Sequence, residues 1–114
     1  MALTVTTTYP ESQLSLATWT ALANGNTGDS ISCARWSDKT VQVKGTFGAG
    51  GSITLQGSND GSTWATLHNA QGNAITMTAA AIELIAENPR FIRPNVTAGD
   101  GTTALDVLIL GSDR

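Results

Sequence analysis

Charged residues are scarce in this chain: they make up 13% of its 114 residues, against about a quarter in typical globular proteins. The formal net charge is −3, so there is no basic surplus to hold a nucleic-acid backbone. No apolar run approaches the roughly 18–20 residues of a membrane-spanning helix. These deficits exclude a nucleic-acid-binding domain, a helical membrane protein and a helical bundle with salt-bridged faces.

Side chains that commonly carry catalysis are equally few. Cys33 is the only cysteine and His68 the only histidine, so an intrachain disulfide is impossible. A Cys–His hydrolase would need these two distant residues to meet in the fold. The acidic residues are scattered among turn sequences, where a short carboxylate caps the local backbone, and they lack the spacing of a calcium loop. We therefore predict no catalytic residue, no cofactor and no metal site, and that the chain is not an enzyme.

The residues that are plentiful indicate strands and turns. Threonine occurs 17 times, glycine 12 times and asparagine 7 times. Strand patterns bounded by Gly, Asn, Asp and Pro recur every 8–12 residues or so, as in an antiparallel sandwich. In the clearest one, Val41, Val43 and Phe47 share one face and Gln42 and Lys44 the other.

We predict an all-β fold, namely a single antiparallel β-sandwich or jelly roll of about eight strands at residues 14–114. Residues 1–13 are Thr-rich and lead to a proline, which predicts an extended N-terminal arm. The start of the chain lacks a positive region and a continuous apolar core, so we expect folding in a cytoplasm. Residues 79–87 fit either a helix or an edge strand.

Three tryptophans are candidates for a binding surface. Trp19 and Trp64 are expected in the core, whereas Trp36, beside a loop, is as easily exposed as buried. An exposed ring could serve as a stacking platform in a carbohydrate-binding module, together with loop residues such as Asn59 and Asp60.

Two of the four arginines lie on one predicted strand. Arg90 and Arg93 could be solvated residues that pair with Glu83 or Glu87. The alternative is that they are partner contacts, because the planar guanidinium binds carboxylates well and arginine is enriched at interfaces.

A local sequence pattern resembles a known hairpin. Residues 53–67 read ITLQGSNDGSTWATL and resemble a hairpin of discoidin-like (coagulation factor 5/8 type C) sandwiches; RFIRP at residues 90–94 is similar to a strand of those domains. Two strands, a tight Asn-Asp-Gly turn and one inward tryptophan account for the hairpin physically. The chain is shorter than those domains and lacks the cysteine pair of their extracellular members, so their glycan binding does not carry over.

A second resemblance depends on the order of four segments: LATWTALANGNTGD, KTVQVKGTFG, GSNDGSTWATL and QGNAITMTAAAIELIAENPRFIRPNVTAGDGTT. With them, residues 16–110 resemble, more closely, small virion proteins of tailed bacteriophages, of the capsid decoration or cement type. The resemblance implies a β-sandwich or jelly roll, commonly a homotrimer, that binds the major capsid protein on the outer head surface and stabilises contacts between capsomers. It also implies synthesis in a bacterial cytoplasm and final location in the virion. The alternative is a carbohydrate-binding or host-adhesion module of a tail or head fibre. The predicted partner contacts are Thr6, Thr7, Thr8, Tyr9, Trp36, Arg90 and Arg93.

Overall fold

The computed structural model describes residues 2–3, 5–8 and 13–113. Within them the chain forms twelve β-strands and no helix. The strands are β1 Ala2–Leu3, β2 Val5–Thr8, β3 Leu14–Leu22, β4 Thr27–Gly28, β5 Ile31–Ser32, β6 Trp36–Thr46, β7 Ser52–Ser58, β8 Ala65–Thr66, β9 Thr76–Met77, β10 Ala81–Leu84, β11 Phe91–Ala98 and β12 Ala104–Asp113.

The strands form two sheets that pack face to face. One has five strands in the order β10-β6-β12-β3-β2. The other has seven, with β1-β4-β11-β7-β8 as its path, β5 also paired to β11, and β9 also paired to β7. All pairings are antiparallel except that of β1 with β4. The predicted all-β sandwich is confirmed; the strand number exceeds the predicted eight because five strands have only two residues.

The core lies between the sheets and follows the alternation of each strand. Val41 and Val43 of β6 are buried and Gln42 between them is exposed, as the sequence predicts. Trp19 on β3 is fully buried, and its Nε1–H donates to the Asp29 carbonyl at 2.9 Å. This bond satisfies the polar atom of the indole, so burying the ring leaves no unpaired donor.

The structure defines residues 79–87, which the sequence left open, and part of the predicted N-terminal arm. Within residues 79–87, Ala81–Leu84 forms strand β10 at an edge of the five-stranded sheet. Within the predicted arm, Ala2–Leu3 pairs with β4 and Val5–Thr8 pairs with β3, so these residues contact both sheets of their own chain. The division of the chain at residue 13 stays a prediction.

Candidate partner-binding surfaces

The outer face of the five-stranded sheet carries a set of aliphatic side chains. Ile82 is 62% exposed, Leu84 45% and Leu110 37%. Leu110 lies opposite Leu16 of β3 on one side and opposite Thr40 of β6 on the other, and Leu84 follows across from Thr40. The apolar residues thus continue from strand to strand. We call this set the aliphatic surface: Leu14, Leu16, Ile82, Leu84, Leu108 and Leu110.

The aliphatic surface exists because β12 is apolar on both of its faces. Val107 and Ile109 point into the core and are fully buried, so Leu108 and Leu110 point outward. None of the partner contacts predicted from the sequence belongs to this surface. The signal was present, since a strand of an antiparallel sheet with one solvated face normally alternates apolar with polar residues.

The centre of this face is uncharged and its ends are charged. Thr40 and Gln42 lie among the aliphatic residues. Asp38 lies opposite Ser112 at one end, and Lys44 faces Asp106 at the other. A depression of about 270 Å³ in the centre is lined by Leu16, Thr40, Gln42, Ile82, Leu108 and Leu110. An apolar centre with a polar rim is the usual arrangement of a protein–protein interface.

Three of the predicted arm contacts lie on β2, which is an edge strand of the five-stranded sheet. Thr6 pairs with Thr18, Thr7 with Ala17 and Thr8 with Leu16. All three threonines are exposed. Thr8, opposite Leu16, borders the aliphatic surface, while Thr7 lines a cleft of about 460 Å³ on the other side of its strand. Tyr9 lies outside the described residues.

The outer face of the seven-stranded sheet has a different chemistry, centred on Arg93. Its guanidinium carbon lies 4.1 Å from the centroid of the Trp64 ring, and its Nε–H donates to Gln56 Oε1 at 2.9 Å. Burial lowers the pKa of Arg93, because desolvation disfavours the charged form. Trp64, expected in the core, is half-buried, and the strand that follows begins at Ala65. The hairpin tryptophan therefore supports an arginine instead of filling the core, which corrects the sequence-based expectation.

Arg90 lies three residues before Arg93, immediately ahead of β11, and its guanidinium also lies over an aromatic ring. Its guanidinium carbon lies 4.9 Å from the Phe91 ring centroid. Its backbone N–H donates to Asn59 Oδ1 at 3.0 Å. The acids that the sequence offers as partners bond elsewhere, since Glu87 accepts from His68 and Glu83 accepts from Asn69. We call Trp64, Phe91, Arg90 and Arg93 the Arg–aromatic surface.

Trp36 is not an exposed platform. It is 9% exposed and belongs to the core. An added Cβ on Gly111 would lie 2.1 Å from its indole ring, so the ring lies directly over the backbone of β12. Its small exposed part lies at the cleft that Thr7 also lines. A sugar has no open face of this ring to stack on.

The acidic turn residues stabilise their own loops. Asp60 Oδ1 accepts hydrogen bonds from the Ser58 hydroxyl and from the backbone N–H groups of Ser62 and Thr63. Backbone hydrogen bonds, chiefly from Thr63 and then Ser62, lower the pKa of Asp60 to about 2. Bonds led by the Thr102 hydroxyl likewise lower the pKa of Asp100 to about 2. Both carboxylates act as turn caps, as their sequence context indicates.

Cys33 and His68 have separate partners. The Cys33 thiol donates to the Pro89 carbonyl at 3.2 Å, and burial, opposed by the charge of Lys39, raises its pKa to about 11. His68 Nδ1 contacts Glu87 Oε2. Burial raises the pKa of Glu87, but hydrogen bonds led by the His68 backbone N–H outweigh it and leave that pKa lowered. A thiol that is protonated at neutral pH is a poor nucleophile.

Two features are absent from the residues that the structure describes. No group of three or more His, Cys, Asp or Glu side chains is placed to hold a metal ion. No described helix is long and apolar enough to cross a membrane.

A known protein structure has a fold similar to that of this chain. No protein-family model and no curated protein sequence matches the chain. Among solved structures, it resembles the SPBc2 prophage-derived protein YomS, with a TM-score of 0.66, 11% identity, and coverage of 91% of this chain and 98% of that one. The two proteins share a fold over nearly their whole lengths.

Two larger proteins align with lower scores. A cupin-superfamily sugar phosphate isomerase from Silicibacter pomeroyi has a TM-score of 0.46 and 15% identity, over 92% of this chain and 54% of its own. HppE with Co(II) and Tris has a TM-score of 0.47 and 11% identity, over 94% of this chain and 51% of its own. This chain spans about half the length of each.

Proposed function

We propose that this chain is a structural virion protein of a tailed bacteriophage, a non-enzymatic decoration protein that binds the outer capsid surface and stabilises contacts between capsomers. The observation that carries the proposal is the aliphatic surface, with its uncharged centre and charged ends. The shared fold with a prophage-derived protein supports a phage origin. The sequence resemblance supports the major capsid protein as the partner.

The size of the five-stranded sheet suits such a contact. Five strands about 4.8 Å apart, with an average length of about seven residues, give a face of roughly 24 by 24 Å, or roughly 600 Å². A standard interface buries about 800 Å² per partner, so this face with its adjoining loops is sufficient. Burial of the aliphatic surface supplies the hydrophobic contribution, and the charged ends orient the contact.

Stabilisation of the capsid then follows from mass action. A protein that binds the assembled lattice and not its free subunits stabilises the lattice by RT ln(1 + [L]/Kd). A homotrimer, which we include in the proposal, would make several such contacts at once, so that avidity offsets the small area of each. The β2 and β10 edges of the five-stranded sheet are the strand edges available for subunit contacts. Native mass spectrometry of the purified chain tests the trimer directly.

Charge placed on the aliphatic surface tests the proposal. Ile82→Lys introduces an ammonium at the most exposed of the large apolar residues of that face. Its matched control is Gln71→Lys, which adds the same charge at an exposed loop position. Both variants should unfold within a few degrees of the wild type, because neither touches the core.

The measurement is the binding of each purified variant to phage heads from which this protein is absent. We expect Ile82→Lys to reduce head occupancy about tenfold or more, since a buried unpaired charge costs more than 1.4 kcal/mol, while Gln71→Lys binds as the wild type does. Equal occupancy for all three proteins would overturn the proposed contact. A stoichiometry of only a few copies per virion, or reproducible glycan-array binding, would instead support the fibre alternative.

A further inference from the structure

The Arg93 side chain is held rigidly and has no carboxylate partner. The Trp64 ring supports one face of its guanidinium, and Gln56 Oε1 accepts its Nε–H. No carboxylate within residues 2–3, 5–8 and 13–113 pairs with it. The two Nη groups therefore remain available in a fixed plane. Arginine side chains ordinarily lose about 2 kcal/mol of rotamer entropy when fixed, and here most of that loss has already occurred on folding.

The position of Arg93 also gives its charged form an unfavourable desolvation free energy in the unbound protein. The residue is only partly exposed, and desolvation lowers its pKa. A partly desolvated cation without an ionic partner gains more from an incoming anion than a fully hydrated one does. Tryptophan and arginine are also the residue types most enriched at interface hot spots.

Arg90 adds a second cation on the same face of the seven-stranded sheet. Its guanidinium lies over the Phe91 ring, and Phe91 and Arg93 point outward because Ile92 between them is fully buried. Among the described residues Arg90, too, has no ion pair. A chain with a net charge of −3 thus presents two cations without an ion pair among the described residues on one face of this sheet.

We propose that the Arg–aromatic surface binds carboxylate groups presented by an acidic protein surface. The planar guanidinium of Arg93, with Nε occupied, has two further donors for a carboxylate. A protein partner fits better than an acidic glycan, because Arg93 already covers one face of the Trp64 ring. Two loop acceptors that could bind sugar hydroxyls are also engaged, since Asn59 Oδ1 accepts from the Arg90 backbone N–H and Asp60 Oδ1 caps its turn.

This surface lies on the sheet opposite the aliphatic surface, so the inference is independent of the proposed capsid contact. A domain with both surfaces has two outer faces of different chemistry, one apolar and one cationic. It could therefore contact two protein surfaces at once.

The experiment uses the full-length chain and a hexaglutamate peptide with blocked ends. Trp19 and Trp36 are 0% and 9% exposed, whereas Trp64 is half-buried beneath Arg93. Tryptophan fluorescence should therefore report mainly on the site, and the Trp64 indole N–H signal in an NMR titration is a second readout. Hexaglutamine with the same blocked ends controls for contacts that do not depend on charge.

We expect hexaglutamate to bind with an affinity that weakens as salt is added, and hexaglutamine not to bind. Arg93→Gln should weaken binding about fivefold or more, as removal of an interface hot spot does. Arg93→Lys should also weaken binding, because it keeps the charge and loses the planar fork. Lys44→Gln, which removes the same charge on the other sheet, should bind as the wild type does.

Three outcomes would overturn the proposal: equal binding by Arg93→Gln and the wild type, equal binding of the two peptides, or tighter binding of oligogalacturonate than of hexaglutamate. The third would assign the carboxylate to an acidic glycan. None of these measurements involves heads, so a failure here is separate from a failure of the capsid proposal.

Discussion

Replacing Gly111 by alanine would place a methyl group against the buried Trp36 ring. Gly111 lies in β12, between Lys39 of β6 and Ser15 of β3, and is itself buried. An ideal Cβ there would lie 2.1 Å from Cδ2, 2.3 Å from Cε3 and 2.6 Å from Cε2 of Trp36. Carbon atoms in contact normally lie about 3.5–4.0 Å apart. The ring or the strand would therefore have to move by about 1 Å or more.

Neither of them can move freely. Trp36 is part of the core, and β12 is hydrogen-bonded to a strand on each side. Overpacking of a close-packed core costs about 1–3 kcal/mol. For a domain of this size, each kcal/mol lowers Tm by about 4 °C. We expect Gly111→Ala to unfold roughly 4–12 °C below the wild type.

Gly101→Ala is the matched control. No described heavy atom beyond its chain neighbours lies within 4 Å of an added Cβ at Gly101, and its φ is outside the left-handed region. Its stability should change by less than about 0.5 kcal/mol. Differential scanning calorimetry and urea unfolding monitored by tryptophan fluorescence give the two values.

A double variant tests the assigned cause. All three atoms nearest to the added Cβ belong to the fused ring system of Trp36. In a Trp36→Phe background, Gly111→Ala should therefore cost less than in the wild type, with a coupling energy of about 0.5 kcal/mol or more. The reasoning is refuted if Gly111→Ala melts within about 2 °C of Gly101→Ala, or if the two changes are additive.

Three further predictions concern titratable groups. The pKa values of Asp60 and Asp100 are about 2 in the folded protein, against the ordinary value of 3.8. Their contribution to stability is therefore complete above about pH 4 and is lost as the pH falls through 2. The urea midpoint should drop over that range, and Asp60→Asn should reduce the slope of the midpoint against pH. With its pKa raised to about 11 by burial, the Cys33 thiol should resist DTNB at pH 8 until the protein unfolds; rapid reaction of the native protein would contradict this. Lys39 is 1% exposed and burial lowers its pKa. Lys39→Met should therefore be neutral or stabilise the fold by up to about 2 kcal/mol. If thermal unfolding shows that the variant loses more than about 2 kcal/mol of stability, the bond of Lys39 to Asn88 dominates instead.

Much of the fold could be predicted from the sequence because its signals are local. The alternation of Val41, Gln42 and Val43 depends on the two-residue period of a strand, and the buried–exposed–buried pattern follows it. The Asn-Asp-Gly turn needs a residue that tolerates positive φ, and Gly61 has a φ of 79°. Asp60 caps that turn within three residues of itself. None of these features requires knowledge of a distant strand.

The candidate surfaces could not be predicted in the same way, because they depend on contacts between distant strands. Trp64 and Arg93 are nearly thirty positions apart, and they meet because β8, which follows Trp64, and β11, which carries Arg93, both pair with β7. Trp36 is buried because a glycine 75 residues later lets its ring lie on β12. Local composition does not distinguish a tryptophan that meets an arginine from one that meets a strand.

The sequence by itself determined an all-β chain with few charges, capped turns and alternating strands, since each of these follows from the conformational preferences of neighbouring residues. Only the tertiary structure decided which apolar residues became core and which became surface. Val107 and Ile109 are as apolar as Leu108 and Leu110, yet the second sheet covers only one side of β12. Alternation sorts residues into two faces, and which face is buried depends on the packing of the whole domain.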